Sequence, residues 1–170
     1  MNDKLRVGFK YDIRVFRPDG TEDESQREIG VHNLAPTEGL NHILDVVFKN
    51  GANFATWYIG LFSGNYTPVA GDTMATFPGA ATEITAQYDE STRQEWVEGV
   101  IASGALDNVG TEAVFTFNAD VTVRGGFMGS SSAKGATTGI LISAVKFASP
   151  KAMTDGATLT VTAGFTLISA

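Results

Sequence analysis

The 170-residue chain contains no cysteine, which excludes a disulfide and any thiolate metal site. Charge is scarce: Asp, Glu, Lys and Arg make up 18% of the residues, against roughly 25% in typical soluble domains. Positive charge is scarcer still, with 12 Lys and Arg against 19 Asp and Glu and a net charge of −7. A nucleic-acid binder needs clustered Lys and Arg to displace counterions from phosphates. Here Lys4, Arg6, Lys10 and Arg14 are interleaved with Asp3 and Asp12. They read as a solvated strand face, and no nucleic-acid partner is expected. No apolar run approaches the roughly 20 residues that span a bilayer, so no membrane partner is expected either. The opening charges are followed by no apolar run, so no secretory leader is expected.

What the chain does have is apolar, small and β-prone. Apolar residues account for 43%, enough for a core in one domain covering 1–170. Leu5, Val7, Phe9, Tyr11, Ile13 and Val15 are apolar at every second position, which predicts a strand with one buried face. Arg17-Pro18-Asp19-Gly20 is a turn, and 28–34 is the return strand of a hairpin. Residues 1–35 are thus expected to form an N-terminal hairpin or arm packed on the domain. Thr37 is placed to cap a helix over 38–50, whose stripe Leu40, Ile43, Leu44 and Val47 is expected to lie on a sheet. Asn50-Gly51 stops it.

Further strands are expected at 54–62, 83–88, 94–102, 113–118, 121–130, 140–148 and 158–168, with turns at 107–108, 132–139 and 150–156. Residues 64–82 read as a long irregular loop, the kind that packs on a partner or carries function. The fold class is therefore mainly β: an antiparallel β-sandwich or jelly-roll-like barrel with one short α-helix.

Catalytic patterns are not found. His32 and His42 stand at no metal-motif spacing. Asp89, Glu90, Glu95 and Glu98 surround Trp96 and invite a glycosidase reading, but a turn followed by a strand with charged outer positions explains them better. The run 130–139 departs from a phosphate loop because Gly135, not Ser or Thr, follows Lys134. No catalytic, cofactor-binding or metal residue is nominated, and no enzyme activity or cofactor is expected. Trp57, Tyr58, Tyr66, Phe77 and Trp96 are the candidate interface residues, since aromatics anchor cores and interfaces far more often than sugar platforms. Trp57 and Tyr58 are strand neighbours and face opposite ways.

Four segments carry a resemblance. They are 33–45 (Asn-Leu-Ala-Pro-Thr-Glu-Gly-Leu-Asn-His-Ile-Leu-Asp), 56–68 (Thr-Trp-Tyr-Ile-Gly-Leu-Phe-Ser-Gly-Asn-Tyr-Thr-Pro), 88–96 (Tyr-Asp-Glu-Ser-Thr-Arg-Gln-Glu-Trp) and 125–150 with its Ser-Ser-Ala-Lys-Gly turn. Each resembles small structural proteins encoded in the virion modules of tailed bacteriophages and prophages. The resemblance implies a virion location, no enzyme and no cofactor. Such proteins are variously head decoration, minor capsid or tail proteins. The first expectation is a capsid decoration or minor capsid protein on the capsid surface, made in the bacterial host cytoplasm. It would bind the major capsid protein as a homo-oligomer, with a trimer as first guess. The alternatives are a tail-associated structural protein, a carbohydrate-binding attachment module and, more distantly, a hydrolase.

Overall fold

The computed structural model describes residues 5–169. Residues 1–4, on which the expectation of no leader rested, lie outside them, as do the side chains of Leu5 and Val7. In chain order the strands are β1 (Leu5–Phe16), β2 (Glu28–His32), β3 (Trp57–Phe62), β4 (Gln94–Trp96), β5 (Ala105–Leu106), β6 (Ala113–Thr116), β7 (Val121–Gly129), β8 (Leu141–Met153) and β9 (Thr158–Ser169). Helix α1 (Thr37–Phe48) follows β2, and the short α2 (Phe77–Ala81) follows β3. All strand pairs are antiparallel: β2-β1-β9-β5 with β6 also on β9 form one sheet, and β4-β3-β7-β8 form the other. This is the expected mainly β sandwich.

The alternation in β1 works as read. Phe9, Tyr11, Ile13 and Val15 point into the core between the sheets, where they meet Leu159, Val161 and Ala163 of β9 and Ile59 and Leu61 of β3. β1 pairs antiparallel with β2. It runs between β2 and β9, and its ladder to β9 extends from Leu5 opposite Ser169 to Phe16 opposite Thr158.

Two layers became three on one side. Residues 64–82, expected as an irregular loop, contain α2 and fold back over the outer face of the second sheet. Met74, Phe77 and Ala81 form a second core there with Phe62, Phe127, Leu141 and Ala144. Phe62 and Phe127 sit on the face opposite Ile59, Leu61 and Met128, so this sheet is buried on both sides.

Several boundaries moved for identifiable reasons. Residues 83–88 form no regular strand and pair with neighbouring strands through single bridges, Glu83 to Phe62 and Tyr88 to Phe117. The strand expected over 94–102 ends at Trp96. Pro150, read as opening a turn, lies inside β8. There the pairing jumps from Lys146 opposite Gly125 to Lys151 opposite Val123, so Pro150 sits in a bulge where no ladder bond asks for its missing N–H.

Helix α1 is where expectation and structure differ most. Thr37 is its first helical residue; Pro36 is the N-cap and offers no side-chain bond. The helix rests on β8 through Gly39, where a Cβ would come within 2.7 Å of the Ile142 Cα. Contact at a glycine brings one turn close; of the stripe, Ile43 packs on the core while Leu40, Leu44 and Val47 stay outside. Leu44 is 53% exposed, Val47 63% and Phe48 78%. The helix ends at Phe48 with Lys49 as its C-cap, and Asn50 beyond it takes the left-handed conformation with φ 57°.

Truncations separate the two environments. Leu61→Ala, inside the main core, should cost about 2–5 kcal/mol, whereas Leu44→Ala should change stability by no more than about 0.5 kcal/mol. Urea unfolding of the two variants beside wild type measures the contrast.

Candidate functional site

The nominated aromatics divide by environment. Phe77 is fully buried, edge-on to Phe62 at 5.6 Å and packed on Phe127 at 5.3 Å. It is a core residue and no interface anchor, because the outer face of the second sheet needs an apolar cover. Tyr66 lies edge-on to Phe77 at 5.7 Å, and its hydroxyl donates to Asp72 Oδ1 at 2.6 Å. That hydrogen bond to a carboxylate holds the phenol pKa above its ordinary value, with burial acting the same way. Asp72 also receives the Val69 N–H at 2.7 Å, so the loop is closed upon itself.

Trp57 and Trp96 are directly opposed across β3 and β4. Trp96 is buried and donates its indole N–H to the Ala163 carbonyl at 2.8 Å. Trp57 is half-buried and packs edge-on to Phe54 at 5.8 Å and His42 at 5.7 Å. Tyr58, one position along, opposes Glu95 and is also half-buried. The five aromatics therefore make no single platform: two are core, and Tyr66 belongs to the cover of the second core.

The carboxylates near Trp96 are used separately. Asp89 accepts from the Asn118 side chain at 2.8 Å, and Glu90 accepts the Thr116 N–H with both oxygens at 3.1 Å. Glu95 and Glu98 are exposed. Among the described residues no group of three or more His, Asp or Glu is placed to hold a metal ion. No helix of the described residues is long and apolar enough to cross a membrane.

The 130–139 loop is turned inward. Arg93, fully buried, grips Glu83 with Nε and Nη2 at 2.8 Å each. It donates to the Ser131 and Ala136 carbonyls at 3.0 Å and lies 5.0 Å from the centre of the Phe127 ring. Glu83 in turn accepts the Gly135 N–H at 3.0 Å. Lys134 donates to the Tyr88 carbonyl at 3.0 Å and stands over the Tyr88 ring, whose hydroxyl is buried with no hydrogen-bond partner. Burial of the Lys134 ammonium pulls its pKa below the ordinary lysine value. A segment resembling a phosphate loop is thus folded inward, with Lys134 Nζ and the Gly135 N–H committed to the protein. Arg93 is the residue that sequence reasoning passed over. Its only signal was a lone basic residue in a stretch whose other charges are acidic.

A second ion pair closes the free edge of the second sheet. Lys151, fully buried on β8, bonds Glu28 of β2, whose carboxylate also accepts the Ala148 N–H at 2.9 Å and the Ser149 N–H at 2.8 Å. Burial works to raise the Glu28 pKa, but these donors outweigh it and hold the carboxyl below its ordinary value.

The outward-facing apolar surface lies elsewhere. Leu40, Leu44, Val47 and Phe48 share one side of α1, spaced i, i+4, i+7 and i+8, and all are exposed. No protein-family model matches the chain, and no curated protein matches its sequence.

Two measurements check these roles. Arg93→Met leaves Glu83 charged and unpaired in the interior and should cost about 3–5 kcal/mol, with Glu83→Gln added to it recovering part of the loss. Glu28 sets an acid limit. Its folded pKa is depressed, so its contribution is complete above the unfolded value near ~4.3 and is lost as pH falls through the lower folded pKa. Glu28→Gln should therefore be less stable than wild type at neutral pH, and the gap should narrow as the pH drops below 4, read by denaturation across a pH series.

Proposed function

We propose that this chain is a structural protein of a tailed-bacteriophage particle: a capsid decoration, or minor capsid, protein that binds the shell built by the major capsid protein. The observation that carries the reading is the exposed apolar side of α1, with Phe48 at 78% exposure and Leu44 at 53%. A water-facing helix ordinarily turns such a stripe inward, and a contiguous apolar patch on a surface marks a contact site. The segment that resembles virion proteins at 33–45 includes Leu40 and Leu44 of this stripe. The remaining surface is poor in positive charge, which disfavours phosphate-rich partners and suits a protein partner.

A shell suits such a modest patch. It displays one site many times, so copies linked to one another gain occupancy from weak individual contacts. No cofactor and no chemical step enter this reading. Tyr66 and Phe77 drop out as anchors, and Leu44 and Phe48 take their place. The tail-associated reading uses the same face on a different partner.

The test adds purified protein to undecorated heads and measures bound copies per head. Wild type should saturate the heads and raise the temperature at which they release DNA. Leu44→Asp with Phe48→Asp should abolish occupancy while the circular dichroism spectrum stays unchanged, since both positions face solvent. Wild type that ignores heads and sediments with isolated tails replaces the capsid reading with the tail reading.

A further inference from the structure

Helix α1 and the cover over the second core, residues 64–82, meet at one carboxylate. The N-cap of α1 is Pro36, whose side chain makes no capping bond, and the free N–H groups of a first helical turn need partners. The cover supplies one: the Thr37 N–H donates to the Ala70 carbonyl at 2.9 Å. The helix caps the cover in return. Glu38 Oε2 accepts the Met74 N–H of the cover at 2.9 Å and the Leu141 N–H of β8 at 2.7 Å. Helix, cover and sheet thus share one charged acceptor, and hydrogen bonds to a charged group are stronger than neutral ones.

The ends of the cover are held elsewhere. Gly64 N–H donates to the Ala81 carbonyl at 2.9 Å, and Lys146 Nζ donates to Asn65 Oδ1 at 2.8 Å. The middle is different. Among the described residues, the backbone hydrogen bonds that join 68–76 to the chain outside the cover go to Thr37 and Glu38. Packing does the remainder, with Met74, Phe77 and Ala81 in the second core, across the sheet from the main one. The helix is also lightly held. Ile43 packs on the main core and His42 packs on Phe54 and Trp57, while Leu40, Leu44, Val47 and Phe48 are exposed. Segments outside the main core open locally, at lower free energy than the central ladders. Here each of the two caps the other. Lifting the cover strips the Thr37 N–H of its acceptor, and unwinding the first turn of α1 strips the Met74 N–H of its own.

We propose that Glu38 is a positioning residue that joins α1 and the cover into one unit, which opens and closes as a whole and so sets the placement of the exposed side of α1. Glu38 stands two residues before Leu40, so a shift of the first turn moves the whole apolar side with it. The bearing on the shell contact rests on the reading above. Coupling of this kind is reciprocal: whatever steadies α1 steadies the cover by the same free energy.

Native-state amide hydrogen exchange on the full chain tests it. In Glu38→Ala the Met74 and Leu141 amides lose their acceptor directly, so the amides to follow are others: 41–44 in α1, and Phe77 and Ala80, which bond Thr73 and Thr76 within the cover. In wild type these two groups should share one opening free energy, below that of the β1–β9 ladder. In Glu38→Ala both should exchange roughly ten- to a hundredfold faster, while the ladder keeps its wild-type rates. Glu38→Gln keeps an oxygen for both N–H groups and should bring both groups back towards the wild-type rates. Unequal opening free energies in wild type, either group unmoved in Glu38→Ala, a ladder accelerated as much as they are, or Glu38→Gln as fast as Glu38→Ala each overturns the inference. Added heads should slow the Phe77 and Ala80 amides of wild type by the same factor as 41–44, and slowing confined to α1 overturns the coupling. Wild type that ignores heads sinks the proposed function instead, and exchange without heads still decides whether Glu38 joins the two segments.

Discussion

The ladder between β1 and β9 joins the two ends of the chain, and the rest of the first sheet is built on it. Each strand is 12 residues long, and their pairing is in register from end to end. β2 adds to the outer side of β1, and β5 and β6 add to the outer side of β9. The β1–β9 ladder brings these separate pairings into one sheet. Closing so long a loop costs entropy before any contact repays it, so this topology forms late and slowly relative to the local hairpins.

A sandwich of this kind must also satisfy the polar groups that its sheets leave over, and here side chains take the place of missing strands. β9 has β6 beside Val161 and β5 beside Phe165, with a gap between them at Ala163. Asn108 fills it: its carbonyl oxygen accepts the Ala163 N–H at 2.7 Å and its amide donates to the Val161 carbonyl at 3.3 Å. The Trp96 indole takes the Ala163 carbonyl from the opposite sheet. Between the sheets, Ser143 Oγ lies 2.7 Å from the Tyr11 hydroxyl and accepts from Asn33 at 2.6 Å. Burial raises the Tyr11 pKa well above its ordinary value, which keeps the phenol neutral. Each device fixes one register, since a slip of one residue would orphan a buried donor.

Arg93 and Lys151 extend the same logic to charge. Both are fully buried, and each ties together segments distant in sequence. Arg93 locks the 130–139 loop to the segment around Glu83, and Lys151 locks the bulge of β8 to β2. Buried ion pairs add little net stability over an apolar replacement, but they are costly to break. Among the exposed large apolar residues, Leu40, Leu44, Val47 and Phe48 share one side of α1, while Ile29, Val69, Val109, Val114 and Leu167 are scattered over the rest of the surface. The proposed contact with the shell uses the first of these groups.

Local pattern determined the strands that face water on one side and core on the other. The alternation over Phe9–Val15 and Leu159–Phe165 located β1 and β9, and Thr37 and Asn50-Gly51 bracketed α1. A period of two or of 3.6 states which residues share a face, and the first sheet has one wet face to make that period visible. The second sheet is covered on both sides, so its pattern lost contrast, and the cover supplied by Met74 and Phe77 read as a loop. Pattern also states that Leu40, Leu44 and Val47 share a side, yet it does not state what that side meets. Only the tertiary structure decided that, because Gly39 sets the helix down on Ile142 and turns Leu40, Leu44 and Val47 to solvent. Arg93 follows the same rule: a charge is exposed by default, and only the arrival of Glu83 and two carbonyls from distant segments makes its burial possible.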